Sequence, residues 1–296
     1  MARRIARESR PMKLLSWNVQ WCRGVDGRVA PARIAREAKR LADADVVCLQ
    51  EVAQRFPTLA GSRGEDQVAA LAQEFAGYAH SFAWGVDVPD PRGRGGRSRF
   101  GNMILSRLPI GRVLRHSLPW PADPGAPSMP RVALEVSVST PLGPLRILTT
   151  HLEYYSSAQR AAQIEHLRAL HAEACAHAAM RDLAGRAEGP FARLPRPAPV
   201  LIAGDFNFPP DDALHARAQE GFGDATPRLV DAWSALHPRD PHPATIRLHD
   251  AEPGETPYCC DYVFVSEDLL PRLVALRVDA DTQVSDHQPL VVELRS

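Results

Sequence analysis

The residues of this chain best suited to chemistry sit where apolar runs stop or start. The run 199–203 stops at Gly204-Asp205-Phe206-Asn207. In extended backbone, residues i and i+2 point the same way, so Asp205 and Asn207 can face one ligand while Phe206 packs behind them. Gly204 permits a turn or a close approach to another backbone. Alone, Asp-x-Asn reads most simply as a turn whose side chains cap their own backbone. The same punctuation recurs, however. Residues 12–18 end in Asn18, 45–50 lead into Glu51, and 145–150 lead into His151. Asp261 opens 262–265, and Asp286-His287 precede the last apolar run, 289–294.

The eight groups comprise three Asp, one Glu, two Asn and two His. Hard oxygen donors with few imidazoles and no paired cysteines suit Mg²⁺ or Mn²⁺ better than Zn²⁺. Carboxylates repel an anionic substrate unless a cation stands between them, so the set points to phosphoryl chemistry. No nucleophile elbow or activated-cysteine pattern competes with that reading. Each residue has a plainer role available. Asn18 and Asp261 could close turns, His151 could be a satisfied strand-end histidine, and Asp286-His287 could cap the last strand.

The elements that must position these groups follow from their polarity. Some strands end in the candidates and others begin with them, so they share an edge only if neighbouring strands run in opposite directions. The alternation in 131–138, the Pro141-Leu-Gly-Pro144 turn and the run 145–150 read as such a hairpin. Helical spacing covers 31–41, 65–76 and an Ala-rich 157–184, with strands near 78–86, 100–106 and 113–118. The Pro-rich 119–130 is neither helix nor central strand, and 209–257 reads as loop with short helices. The fold expected is α+β, a sandwich of two packed mixed or antiparallel sheets flanked by helices. No Gly-x-Gly-x-x-Gly turn follows the first strand, which disfavours a dinucleotide-binding wrap. Trp17 is expected in the core. His166, His171 and His177 are expected on the surface of the long helix.

Composition narrows the class. The chain has 296 residues and no net charge, and no run of about 18 apolar residues. Residues 1–11 read as a disordered extension or a misplaced start, and 12–296 as a single domain. Five scattered cysteines suggest neither a disulfide framework nor a zinc site, and a cytoplasmic protein with no obligate protein partner is expected. Charge is concentrated locally: Arg92, Arg94, Arg97 and Arg99 lie in a Gly-rich stretch, either a solvated loop or a flap over an anionic substrate.

Seven short motifs then occur in one order: Ser16-Trp-Asn18, Gln50-Glu51-Val, Gly101-Asn102-Met-Ile-Leu-Ser106, Thr150-His151-Leu, Gly204-Asp205-Phe-Asn207, Asp261-Tyr-Val-Phe and Ser285-Asp286-His287-x-Pro289. In this the sequence resembles the endonuclease/exonuclease/phosphatase superfamily, with its deoxyribonuclease-I-like fold, over about residues 12–294. The resemblance implies a four-layered α/β sandwich hydrolysing phosphoesters with a divalent cation. It assigns Glu51 as the main metal ligand, assisted by Asn18 and Asp286. Asp205 would orient or deprotonate water, and Asn207 would bind a phosphate oxygen or a second metal. His151 would contact the phosphate. His287 would be the catalytic histidine, with Asp261 orienting it, and either His287 or Asp205 can serve as the base. Asn102 and Arg99 are candidate substrate contacts. Gln20 stands where many DNA-directed members carry an acid; with the neutral overall charge this favours a phosphodiesterase of small or lipid-like substrates, or an enzyme of short single-stranded nucleic acid, with a nuclease acting on DNA or RNA as the alternative. A non-catalytic binding protein is the alternative of another class.

Overall fold

The computed structural model describes residues 10–93, 95–180, 189–191 and 194–295. In chain order its first strands are β1 (Met12–Asn18), β2 (Val46–Gln54), β3 (Ala79–Pro89), β4 (Arg97–Ser106), β5 (Ile110–Ser117) and β6 (Val132–Thr140). There follow β7 (Gly143–His151), β8 (Val200–Asp205), β9 (Leu229–Asp231), β10 (Asp261–Ser266), β11 (Leu273–Val278) and β12 (Leu290–Leu294). The helices are α1 (Pro31–Leu41), α2 (Gln67–Glu74), α3 (Ser157–Ala179), α4 (Ala213–Gln219) and α5 (Ala232–Leu236).

The strands form two six-stranded sheets, β11-β12-β1-β2-β4-β3 and β5-β6-β7-β8-β10-β9. Both are mixed. β1 and β2 are parallel, as are β7 and β8, while β12 and β10 run against them. Side-chain alternation then sorts the residues into layers. In β8, Leu201 and Ala203 join the core between the sheets, and Val200 and Ile202 face the outer layer that includes α3. In β1, Leu14 faces inward and Leu15 and Trp17 pack towards α1 and α2. The result is the α+β, four-layered sandwich expected. The strands of each sheet centre are apolar on both faces because both faces are covered.

Several boundaries differ from expectation. β3 and β4 reach further towards each other than hydrophobicity alone indicated, so Arg97 and Arg99 are strand residues. Arg97 and Asp87 form an ion pair, and Arg99 lies across from Asp87 in the ladder. Cross-strand charge pairing extends the ladder past the apolar stretch. Arg94 lies outside the described residues. α3 ends at Ala179, and 181–184, expected to be helical, lie outside the described residues, as do 1–9 of the expected extension.

His171 is buried, contrary to expectation, whereas His177 is exposed. The His171 ring accepts from the buried Arg146 guanidinium at Nδ1 (2.8 Å) and donates from Nε2 to the Pro227 carbonyl (2.7 Å). Burial brings its pKa down to about 4, so it is a neutral core linker. Among the described residues, no helix is long and apolar enough to cross a membrane.

Candidate active site

Two strands of the second sheet end and a third begins in register at one edge. His151 of β7 lies beside Asp205 of β8, and Asp205 lies beside Asp261 of β10. A Cβ at position 204 would come within 2.0 Å of the Thr150 carbonyl oxygen, so glycine lets β7 and β8 close up just before the site. Phe206 packs behind, edge-on to Phe208, Tyr262 and Phe264. Asn207 has φ 56°, donates its amide to the Leu152 carbonyl (2.8 Å), and its backbone N–H caps Asp205 Oδ1 (2.9 Å).

The first sheet meets this edge with Asn18, Glu51 and the Ser285–Gln288 turn. Glu51 sits at an irregularity in the β2–β4 ladder with φ 58°, a left-handed conformation that costs on the order of 1 kcal/mol in a non-glycine residue. Burial and then the nearby Asp286 push the Glu51 carboxyl up to about 7. Burial likewise raises Asp286, whose carboxylate accepts from the Gln20 side-chain amide.

The Asn18 amide nitrogen lies between two carboxylates, 3.1 Å from Glu51 Oε1 and 3.0 Å from Asp205 Oδ2. Its oxygen accepts from the Gln20 backbone N–H (3.1 Å). Asn18 therefore clamps the two acids through its nitrogen in this structure and turns its oxygen away from them.

His287 donates from Nδ1 to Asp261 Oδ2 (2.9 Å), and its Nε2 is 3.7 Å from Asp205 Oδ2. Burial opposes charge on this ring, but Asp261 and Asp205 outweigh it and the pKa rises well above its ordinary value. Burial, with repulsion from Asp261, raises Asp205. His151 Nε2 is 3.5 Å from Asp205 Oδ2 and Nδ1 is 3.8 Å from Glu51 Oε1. Burial and the Arg131 charge hold His151 well below its ordinary pKa. The two buried histidines are thus pushed in opposite directions, His287 towards the charged form and His151 towards the neutral one.

All eight groups singled out by strand polarity converge on this edge. Asn102 and Arg99 have side-chain partners outside the carboxylate cluster, although Asn102 lines a small hollow together with Arg131 and His151. The Asn102 amide ties the sheets together through the Val132 carbonyl (2.8 Å). The Arg99 guanidinium lies over the Trp84 ring, 4.4 Å from its centroid, and contacts Gln54 and Asp87.

Two residues that sequence reasoning missed complete the site. Arg131 lines the cleft beside His151, is 7% exposed, and holds Glu153 through Nε (3.1 Å), while its buried Nη1 has no partner. The signal was available: carried on from its turn, the β6–β7 hairpin register brings Arg131 next to the His151 end of β7. Thr245, wholly buried, donates to Asp261 Oδ2 (2.6 Å) and accepts from the N–H groups of Cys260 (3.1 Å) and Asp261 (3.2 Å). No strand pattern marks it, because it lies in a loop.

Glu51, Asp286 and Asp205 form a largely buried carboxylate cluster in which all three pKa values are raised, the signature of a site short of positive charge. Its hard oxygens fit a divalent cation such as Mg²⁺ or Mn²⁺.

Comparison with known proteins agrees. The profile of the Endonuclease/Exonuclease/phosphatase family matches residues 15–287. The endonuclease/exonuclease/phosphatase from Beutenbergia cavernae is 26% identical, with TM-score 0.68, over 97% of this chain and 72% of that one. TDP2 of D. rerio, solved with a single-strand DNA product, is 20% identical, with TM-score 0.61, over 97% and 99% of the two chains. The human Nocturnin catalytic domain with bound sulfate is 17% identical, with TM-score 0.58, over 97% and 94%. Among curated proteins, none matches the sequence. With most of its length matched and its strand-end groups gathered at one edge, this chain belongs to the endonuclease/exonuclease/phosphatase family.

Proposed function

We propose that this protein is a divalent-metal-dependent phosphodiesterase of small phosphodiesters, using Asp205 to activate water. The observation that carries the reading is the convergence on Asp205 Oδ2 of Asn18, His151 and His287, at 3.0, 3.5 and 3.7 Å. Glu51 and Asp286 would hold Mg²⁺ or Mn²⁺, which supplies charge neutralisation for a pentavalent phosphorus transition state. Asp261 takes the Nδ1–H of His287 and, with Asp205, favours the ring as a charged donor over a proton acceptor. The ring offers Nε2–H to a phosphoryl oxygen, which leaves Asp205 as the acceptor for the proton of water. Neutral His151 and the free Nη1 of Arg131 donate to the remaining oxygens. Asn207, held by Leu152, keeps the Asp205 carboxylate turned into the cleft.

The test is hydrolysis of bis-p-nitrophenyl phosphate. Turnover should require Mg²⁺ or Mn²⁺, stop with chelator, and fall in Arg131→Gln mainly through a higher KM, by about ten-fold for one charge-assisted contact. Metal-independent turnover, or none with either ion, would refute the reading.

The DNA product seen with D. rerio TDP2 supports a second reading, action on nucleic acid. It predicts oligonucleotide affinity that falls steeply with added salt. The zero net charge and the lone arginine among the cleft-lining residues favour the small substrate.

A further inference from the structure

The cleft beside the phosphate-handling groups is small, about 370 Å³, and its walls are largely apolar. Trp21, Phe56, Leu59, Phe100, Tyr154 and Tyr155 line it. Most of the hydrophobic residues of this fold are covered, yet Tyr154 and Tyr155 are 40% and 63% exposed. Nothing in the proposed hydrolysis uses them.

The two tyrosines are held in place with unusual thoroughness for a surface loop. Their rings pack edge to face, with centroids 4.8 Å apart and an interplanar angle of 88°. The Tyr154 hydroxyl accepts from Arg247 (3.3 Å), itself paired with Glu255 (2.9 Å). Arg160 grips the carbonyls of Glu153 (2.7 Å) and Tyr154 (2.8 Å). Gln163 accepts from the Glu153 N–H (2.9 Å). Backbone held in this way has little freedom left to lose when something binds against it.

Glu153 ties the tyrosines to the phosphate end of the cleft. It is wholly buried, and one carboxylate oxygen accepts from the Tyr155 backbone N–H (2.9 Å) while the other accepts from Arg131 Nε (3.1 Å). A single carboxylate therefore sets the distance between the ring pair and the guanidinium whose Nη1 is unpartnered.

We propose that Tyr154 and Tyr155 form a stacking subsite for a planar aromatic group carried by the phosphodiester, of the nucleobase kind, at a fixed span from the phosphate held by Arg131. This rests on the phosphodiesterase reading and names its substrate class. Phenol rings offer a flat face and a polar edge, which suits a heteroaromatic ring with its own polar edge better than an acyl chain. Proteins that track long single strands pair such rings with a positively charged groove. Among the described residues that line the cleft, Arg131 is the only Lys or Arg, and it shares the cleft with Glu51, Asp205 and Asp286, so the subsite serves one ring and one phosphate and not a polymer.

The test compares two p-nitrophenyl phosphodiesters that differ in one substituent, thymidine 5′-yl and methyl, in wild type, Tyr155→Ala, Tyr154→Ala and Tyr155→Trp. In wild type the thymidine ester should have the higher kcat/KM by about ten-fold or more, as expected for stacking one base. The ratio should fall towards unity in the alanine variants and be restored by tryptophan. A ratio near unity in wild type, or one unmoved by both alanine variants, overturns the subsite. A loop that merely supports the fold would lower both esters together and leave the ratio alone. Calorimetric titration with thymidine 5′-methyl phosphate and with dimethyl phosphate asks the same question without turnover. A preference for the thymidine ligand that is lost in Tyr155→Ala supports the subsite even where no ester is hydrolysed, in which case the phosphodiesterase reading fails by itself. Absence of that preference overturns the subsite whatever the catalytic result.

Discussion

Two buried carboxylate–imidazole clusters stand on neighbouring strands of the second sheet, and only one of them opens on the cleft. In the first, Asp261 holds His287, whose far nitrogen looks towards Asp205, 3.7 Å away. In the second, Asp231 holds two histidines, His215 (3.2 Å) and His242 (2.5 Å), on the same oxygen. Its carboxylate also caps α5 through the Trp233 N–H (3.0 Å) and accepts from Ser234 (2.8 Å). The Gln219 side chain accepts from the Asp231 N–H (3.0 Å), so its amide nitrogen points at His215 Nδ1 (3.4 Å). That leaves His215 Nε2–H as the donor to Asp231. Asp231 uses its lone pairs on donors already present, which makes this cluster a structural brace although its residue types could bind a metal. His287 instead keeps an N–H facing a second carboxylate and a cavity. A buried His–Asp pair does chemistry when one nitrogen is left without a committed partner, and residue type alone does not reveal this.

The largest effect expected from breaking the comparison lies in the first cluster. His287→Ala should lower kcat on bis-p-nitrophenyl phosphate by about 10³-fold, in line with the usual contribution of a positioned proton donor. Its urea midpoint should also fall, because the buried Asp261 carboxylate loses its charged partner, so kcat is compared on protein shown to be folded. Loss of activity no greater than about three-fold would assign His287 to the same bracing role as His215.

The second effect is on stability. Asp231→Asn removes a charge that two imidazoles and a helix N-terminus face, and should cost about 3 kcal/mol in urea unfolding at pH 7, as breaking a buried ion pair does. Specific activity of the folded protein should be kept. The pH dependence has a definite sign. Burial opposes the Asp231 charge, but the His215 and His242 hydrogen bonds outweigh it and hold its pKa below the ordinary 3.8. The carboxylate therefore stabilises the fold fully above its unfolded pKa, and the difference between wild type and variant should shrink as the pH falls below 3.8 and through the lower folded value. A gap that stays constant down to pH 2 would show that the charge is not what braces this corner.

Much of the first cluster was legible in the sequence, and the reason is sheet geometry. Asp205, Asp261 and His151 sit where apolar runs change to polar, and three adjacent strands, two ending and one beginning in register, bring such residues side by side. Strand polarity also predicted the mixed sheets. Glu51 was legible as a residue, but the left-handed backbone that aims it was not, because a ladder irregularity leaves no mark in hydrophobic alternation. Arg131 could have been found by extending the hairpin register, whereas Glu153 and Thr245 were silent for a related reason. Each acts through a partner on another segment, and only the three-dimensional packing of the Pro-rich stretch and the 237–260 loop brings those partners near. Arg99 misled for the opposite reason: its Gly-rich, basic neighbourhood looked like a flap, while it lies within β4 with Asp87 as its cross-strand ion-pair partner. His171 misled because composition made α3 look like a surface helix, and the buried Arg146 needed an acceptor there.

Thr245 provides the smallest effect and the finest division between the two clusters. It belongs to the loop that His242 pins to Asp231, yet its hydroxyl ends on Asp261. Its backbone N–H donates to the Tyr258 carbonyl (2.9 Å), and its carbonyl accepts from the Gln288 N–H (2.7 Å), next to His287. The brace thus reaches the active site through one residue. Thr245→Val keeps the shape and these backbone bonds but removes the hydroxyl, and with it the hydrogen bond to a charged acceptor, worth about 1.5 kcal/mol or more, and the acceptor of the Cys260 and Asp261 N–H groups. Without that donor the Asp261 carboxylate is more basic and holds the His287 proton more tightly, so the histidine pKa, already raised, should rise further. Activity should fall about ten-fold, the kinetic equivalent of 1.4 kcal/mol, with the limb of the pH–rate profile assigned to His287 displaced to higher pH. Thr245→Ser should restore both. A variant that loses activity with no movement of that limb would mean that Thr245 holds the loop and not the carboxylate, which would place it with Asp231 on the bracing side of the comparison.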